Sequence, residues 1–507
     1  MFDLGVEMDS LAIAQGSLLL TYYTPLEDPR AHSYWLSIAI QHSKLVHAHD
    51  YRTYAQFPAE RTVPLKRLWW CCIVRDRSLS LGLRRPLQIS KAAVDPMPPP
   101  LSEQDIAAEM SNSRIYSTAS KQDLLQTFNK LCMLSIYLTD AIEIMYPTWE
   151  ACSSTLPSKV SFEQKKQRLL EAESQLDEWY NESRKTELAV SPGDSAAVSL
   201  LVLQNLGYMY YYAAKASIHS KVILESILDT RIATNGVTCR LESNIKLEQA
   251  VNGMTLILID LLQAKAINYL PAAAVALASL PLAWHVVGSR LAPKSRDSET
   301  LEKGVTAYNK MMRIWQVMYE GTDRVLETIT ELVQQIELEN SILSIHRTPI
   351  QLFNSKNREA NSWAKILLLQ PESYSRVILG LDISLSLGRK ICREDLPALL
   401  QPLEHKNVTN LMSLSLTAPD LQNYSNSQQE VKHIGAIDSN YSESATCPLE
   451  GENIAEKLDD EVESEFRGPW TVNSIEDRQV PRKTEDDIFE KLLQGYAEAS
   501  PFSPIFT

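Results

Sequence analysis

Between Arg61 and Pro86 the chain reads Arg-Thr-Val-Pro-Leu-Lys-Arg-Leu-Trp-Trp-Cys-Cys-Ile-Val-Arg-Asp-Arg-Ser-Leu-Ser-Leu-Gly-Leu-Arg-Arg-Pro, and no other stretch limits the fold so much. Leu65, Leu68, Trp69, Cys72, Ile73 and Leu79 recur at the three- and four-residue spacing of one helix face. Trp70, Val74 and Leu81 fall on the other side. A helix that is apolar on nearly every side cannot lie on a surface and must be enclosed by others. Thr62 can cap it, and Pro64 suits a first turn, where a missing N–H costs nothing. Gly82 and Pro86 are expected to end it. The pattern predicts a buried helix from Pro64 to Arg85.

Arg75-Asp76-Arg77 lies inside that segment. Charge in a core is expensive unless paired, so Asp76 is expected to bond a nearby arginine, with Arg85 as the candidate. Arg67, Arg75, Arg77, Arg84 and Arg85 could also form a DNA-binding strip, and Trp69-Trp70 could stack on a ligand or base. The interleaved Leu, Ile and Val favour core packing over both.

This segment resembles the family-wide helix of the fungal-specific transcription factor domain, the middle regulatory region of fungal zinc-cluster (Zn2Cys6) regulators. Many members carry Arg-Arg-hydrophobic-Trp-Trp, then Asp-Arg, then a leucine-rich run into Gly-Arg-Pro. The matching residues are Lys66-Arg67-Leu68-Trp69-Trp70, Asp76-Arg77, Leu79 to Leu83 and Arg85-Pro86, while Arg84 stands where glycine is more usual. The Arg-Arg-Pro ending is similar to a subgroup of cutinase-gene activators. Upstream, Tyr34-Trp35, Ala39-Ile40 and His49 match a second family helix, with His47 in place of its usual glycine. The resemblance reaches from about Leu11 to Leu403. It implies an all-α regulatory domain that belongs in the nucleus, works through transcription machinery or co-regulator proteins, and can form a homodimer. It also implies control of metabolic or secondary-metabolite gene sets.

The family's zinc cluster needs paired Cys-x2-Cys motifs. The cysteines here are Cys71, Cys72, Cys132, Cys152, Cys239, Cys392 and Cys447, and none makes such a pair. Their scatter shows no disulfide framework or zinc spacing. No cofactor is therefore expected, and the chain is expected to begin inside the family's domain. DNA would be reached only indirectly or through a missing N-terminal zinc cluster. The net charge of -14 agrees, because it repels nucleic acid unless a local basic patch intervenes. Asp3, Glu7 and Asp9 argue against a signal peptide, and a reducing intracellular setting fits the cysteines.

Other helices are expected over Leu11–Tyr23, Ala31–Val46, Lys121–Tyr146, from Ser161 with a capping box to Gln164, Val198–Leu228, Asn244–Ala266 and Leu301–Ser344. Shorter ones are expected over Trp363–Leu369, Tyr374–Leu387 and Glu394–Leu400. Tyr269 to Val287 is apolar enough to suggest a membrane span, but Pro271 and Pro281 make a buried helix pair the better reading. The prolines between Leu87 and Ser102 predict an extended connection. With only 16 glycines in 507 residues, helix is favoured throughout.

From Glu404 the composition turns to Ser, Asn, Gln, Asp and Glu, so residues 404–507 are expected to be a mostly disordered acidic tail after a helical domain over 1–403. A short amphipathic helix near 486–496 would align Ile488, Phe489, Leu492, Leu493 and Tyr496 for a partner's groove. No nucleophile elbow, phosphate-binding loop or His-Glu-x-x-His occurs, so no enzyme is expected. His32, His42, His47 and His49 are better read as surface or capping groups than as metal ligands. A pocket lined by the tyrosines at 208–212, in a helical ligand-binding protein or enzyme, is the alternative.

Overall fold

The computed structural model describes residues 5–23, 28–148, 162–187, 196–228, 236–291, 296–346, 367 and 371–401. These residues form helices and turns with no strand among them, as the all-α reading expects. The α-helices are α1 (Ser10–Leu20), α2 (Ala31–Leu45), α3 (Ala59–Leu83), α4 (Ala107–Asn112), α5 (Thr118–Met145) and α6 (Phe162–Lys185). After them come α7 (Ala197–Leu228), α8 (Gly236–Gln263), α9 (Ala273–Leu291), α10 (Arg296–Met318), α11 (Thr322–His346) and α12 (Pro371–Leu387). All of them lie in the unit Met1–Leu403. Residues 404–507, with Ile488, Phe489, Leu492, Leu493 and Tyr496, fall outside the described residues, as do Ser161 and most of 363–369.

Helix α3 packs against α1, α2, α5, α7, α9 and α12. Its all-round apolar pattern is thus satisfied by enclosure, and Trp69 and Trp70 are each only 1% exposed. It starts one turn before the expected cap. Thr62 Oγ1 points back to the Pro58 carbonyl at 3.4 Å, and Pro64 sits inside the helix. The lost bond is near the exposed N-terminal end, where water can replace it. Gly82 does not end the helix either. A Cβ there would stand 3.8 Å from Ala276 Cβ of α9, an ordinary contact.

Three helices close without glycine. His47 (φ 63°), Arg84 (φ 56°) and Lys265 (φ 54°) each adopt the left-handed conformation after α2, α3 and α8. In each case the next residue's N–H reaches back past it: Ala48 to Ser43 O at 2.8 Å, Arg85 to Ser80 O at 3.1 Å, and Ala266 to Leu261 O at 2.8 Å. This is the six-to-one bond of a Schellman close.

The expected single helix over Leu301–Ser344 is two, α10 and α11, broken at Gly321 with φ 90°. Thr322 fixes the corner by donating to Tyr319 O at 2.9 Å. Periodicity carried across the break because both helices face the same core. The expected helix pair at Tyr269–Val287 is instead a 3-10 turn, Ile267–Tyr269, and the single helix α9. Pro281 removes one internal bond, but Leu277, Ala278, Leu282 and Trp284 are all buried, and packing holds the helix around it. Among the described residues no helix is long and apolar enough to cross a membrane. The run Leu87–Ser102 is extended except for a short 3-10 turn at Lys91–Val94, and Glu394–Leu400 forms two 3-10 turns rather than a helix.

His285 on α9 is 1% exposed and accepts or donates only at Nε2, to Thr255 Oγ1 at 2.9 Å. A Cβ on Gly304 would stand 2.6 Å from its Nδ1, so α10 leaves it no room to turn. Burial lowers its pKa to about 4. A histidine depressed in the fold is kept neutral, so the unfolded chain binds its proton first. Its contribution to stability is complete above the ordinary pKa of 6.5 and is lost as pH falls toward 4. Replacing His285 with Gln should flatten the fall in unfolding free energy between pH 6.5 and 4 by roughly 3 kcal/mol, measured by denaturant titration across that range.

Candidate functional site

The motif residues of α3 and its exit make a continuous polar seam inside the helical stack. The Asp76 carboxylate accepts from Arg77 Nη1 at 2.7 Å, and both side chains are fully buried. It also accepts the backbone N–H groups of Gln88 (3.0 Å) and Ile89 (3.1 Å). The chain that leaves α3 is therefore folded back onto the helix by one carboxylate. Arg77 Nε in turn reaches Thr139 Oγ1 on α5 at 3.3 Å.

The expected partner of Asp76 was Arg85, and the structure corrects this. Arg85 donates to Ser386 O at 2.9 Å, Ser33 Oγ at 2.8 Å and Pro29 O at 3.3 Å. The left-handed turn at Arg84 swings Arg85 away from the helix, toward α2 and α12. Arg77 is adjacent in sequence, and two neighbours on a helix do not normally face each other. They meet here because Arg77 curls back to a carboxylate already held by two main-chain donors. Burial pushes the Asp76 carboxyl up and the Arg77 guanidinium down, against their mutual attraction. Such a pair specifies geometry more than it adds stability.

Arg84 is 5% exposed and bonds Asp382 of α12 at 2.8 Å. The other motif residues are also tied down. Arg67 pairs with Glu109 of α4 at 2.7 Å, and Lys66 with Asp105 at 2.6 Å. Trp70 Nε1 donates to Pro99 O at 2.9 Å, so the proline run is strapped along α3. Ser80 Oγ donates to the Pro86 carbonyl at 3.2 Å. Arg75, Arg77 and Arg84 are buried, so the motif arginines do not form a surface strip, and the buried indoles cannot stack on a base.

The histidines are not brought together as a metal site. His32 Nδ1 donates to Thr21 O at 3.0 Å, His42 bonds Ser10 Oγ at 3.2 Å, and His49 lies edge-on to Trp69. Among the described residues no three His, Cys, Asp or Glu could hold a metal ion. The tyrosines of α7 satisfy one another and their neighbours. Tyr211 stacks on Tyr180 at 4.4 Å and donates to Asp177 at 2.6 Å, while Tyr180 and Tyr212 hydroxyls meet at 3.0 Å. The hollow beside Tyr208 measures about 10 Å³, room for a water at most. That cluster is core, not pocket.

Sequence reasoning missed two features. Glu173 of α6 is bonded by His219 at 3.0 Å and Lys246 at 3.0 Å, with Lys215 at 3.3 Å. Burial alone would raise its pKa, but His219 and the lysines hold it at about 2. A cavity of about 140 Å³ also opens between α3, α9, α11 and α12. Arg75 reaches its wall, and no single segment's spacing could have disclosed it.

An all-helical unit organised on a buried Trp-Trp and Asp-Arg helix is the class that this geometry defines. Residues 2–181 match the model of the fungal specific transcription factor domain. The chain is 23% identical over 366 residues to a protein named transcription factor from Fusarium pseudograminearum, covering 66% of this chain and 39% of that protein. It is likewise 23% identical over 350 residues to cutinase transcription factor 1 beta of Fusarium vanettenii, covering 63% and 38%. The chain thus spans about two fifths of the length of these relatives. No solved structure matches.

Two substitutions test the seam. Asp76→Asn leaves Arg77 buried without its counter-charge and should cost about 3 kcal/mol in urea unfolding. His47 is exposed and in the left-handed region, so His47→Gly should be neutral or stabilising by up to about 1 kcal/mol, while the β-branched His47→Val should destabilise by a similar amount.

Proposed function

We propose that this chain is the regulatory part of a fungal transcriptional regulator that acts through protein–protein contacts. The observation that supports the reading is the domain match over residues 2–181, which contains α3 with Trp69, Trp70, Asp76 and Arg77. With Arg75, Arg77, Arg84 and the indoles of the seam enclosed, DNA is left to a partner chain or to a zinc cluster carried outside these residues. The helical unit restrains or transmits regulation and can self-associate. The acidic segment with Ile488, Phe489, Leu492, Leu493 and Tyr496 docks on transcription machinery or a co-regulator. The site of action is the nucleus, and the output is activation of a metabolic or secondary-metabolite gene set.

Fusion of the intact chain to a heterologous DNA-binding domain, read on a chromosomal reporter in a filamentous fungus, tests this. Reporter output should rise several-fold and fall back when Phe489 and Leu492 are both replaced by Ala. Lowered output would turn the activator into a repressor. Unchanged output from the well-expressed fusion would remove the regulatory reading.

A further inference from the structure

The cavity between α3, α9, α11 and α12 carries Arg75 on its wall, together with His32, Glu320 and Arg324. Arg75 is 5% exposed and lines this space. Its Nε donates to Thr21 Oγ1 at 2.8 Å and its Nη2 to Thr21 O at 2.6 Å, and its guanidinium lies 3.9 Å from the Tyr22 ring centre. Those are neutral partners. Among the described residues no carboxylate forms an ion pair with Arg75, and its Nη1 has no acceptor. The neighbouring motif arginines differ, since Arg77 has Asp76 and Arg84 has Asp382. A cation withdrawn from water without a counter-ion is costly, and burial lowers its pKa accordingly. A guanidinium also presents a donor pair matched to a carboxylate.

The rest of the wall sets the ligand's body. Leu79, Val275, Ala276, Val325 and Leu385 supply hydrocarbon. At about 140 Å³ the space is close to the roughly 150 Å³ apolar cavity that accepts benzene in an engineered protein. We infer that this cavity binds a small, largely apolar monocarboxylate of about benzoate size, its carboxylate on Arg75 and its hydrocarbon between α3 and α9. Bound there, the ligand joins α3 to α9, α11 and α12, so occupancy would tighten the N-terminal helices against the later ones. The assignment rests on the cavity and Arg75 alone and stands whether or not the chain regulates transcription.

Calorimetric titration of the full chain with benzoate, phenylacetate and hexanoate, alongside benzyl alcohol and acetate, tests it. At least one of the three apolar acids should bind saturably and at least about tenfold more tightly than the uncharged alcohol or acetate. Arg75→Met should weaken that acid about tenfold and leave the alcohol unchanged. Should that variant fail to fold, Ala276→Leu, which fills the space and keeps the charge, should abolish binding of the acid. Equal affinity for acid and alcohol, no binding of any acid below about 1 mM, or an undiminished acid affinity in either folded variant would overturn the inference.

Discussion

The Asp76 carboxylate decides how the N-terminal half of this molecule closes. It is fully buried, so it cannot keep its water, and it takes three donors instead: one guanidinium and two main-chain N–H groups. Those two N–H groups belong to the segment just after α3, and capturing them turns the chain back along the helix. Trp70, through Pro99, fastens the next stretch of the same segment. Replacing the ion pair by hydrocarbon would not be neutral here, because Ile89 would keep a buried donor with no acceptor.

From that seam the structure reaches across most of the chain. Arg84 and Arg85, at the left-handed turn that closes α3, together hold α12, nearly three hundred positions downstream. The matched domain over residues 2–181 therefore depends for its own closure on a helix well beyond it. The left-handed residues at 47 and 84 close their helices without glycine. At Arg84 the side chain is then free to bond Asp382. At both positions the six-to-one bond offsets the cost of placing a Cβ in that region.

The electrostatic design is uneven. Asp76 with Arg77, Arg84 with Asp382 and Glu173 with its histidine and lysines are each internally balanced. Arg75 and His285 are not, although both are buried. His285 resolves the problem by staying neutral. Arg75 cannot readily lose its proton, and it is the one of these groups that faces an empty space.

The amino-acid sequence alone determined that α3 is enclosed, that its tryptophans are core, and that Asp76 inside it must be paired. These follow from helical periodicity and from the cost of dehydrating polar groups, which are local properties. It also marked most of the helices to within a turn or so, though α8 begins earlier than its pattern suggests and α10 and α11 share one stripe across a break. Only the tertiary structure decided that Asp76 takes Arg77 rather than Arg85, that α10 and α11 part at Gly321, and that Arg75, with no ion-pair partner among the described residues, lines a cavity. Partner choice and empty space depend on which helices meet, and that is set by contacts between segments hundreds of residues apart.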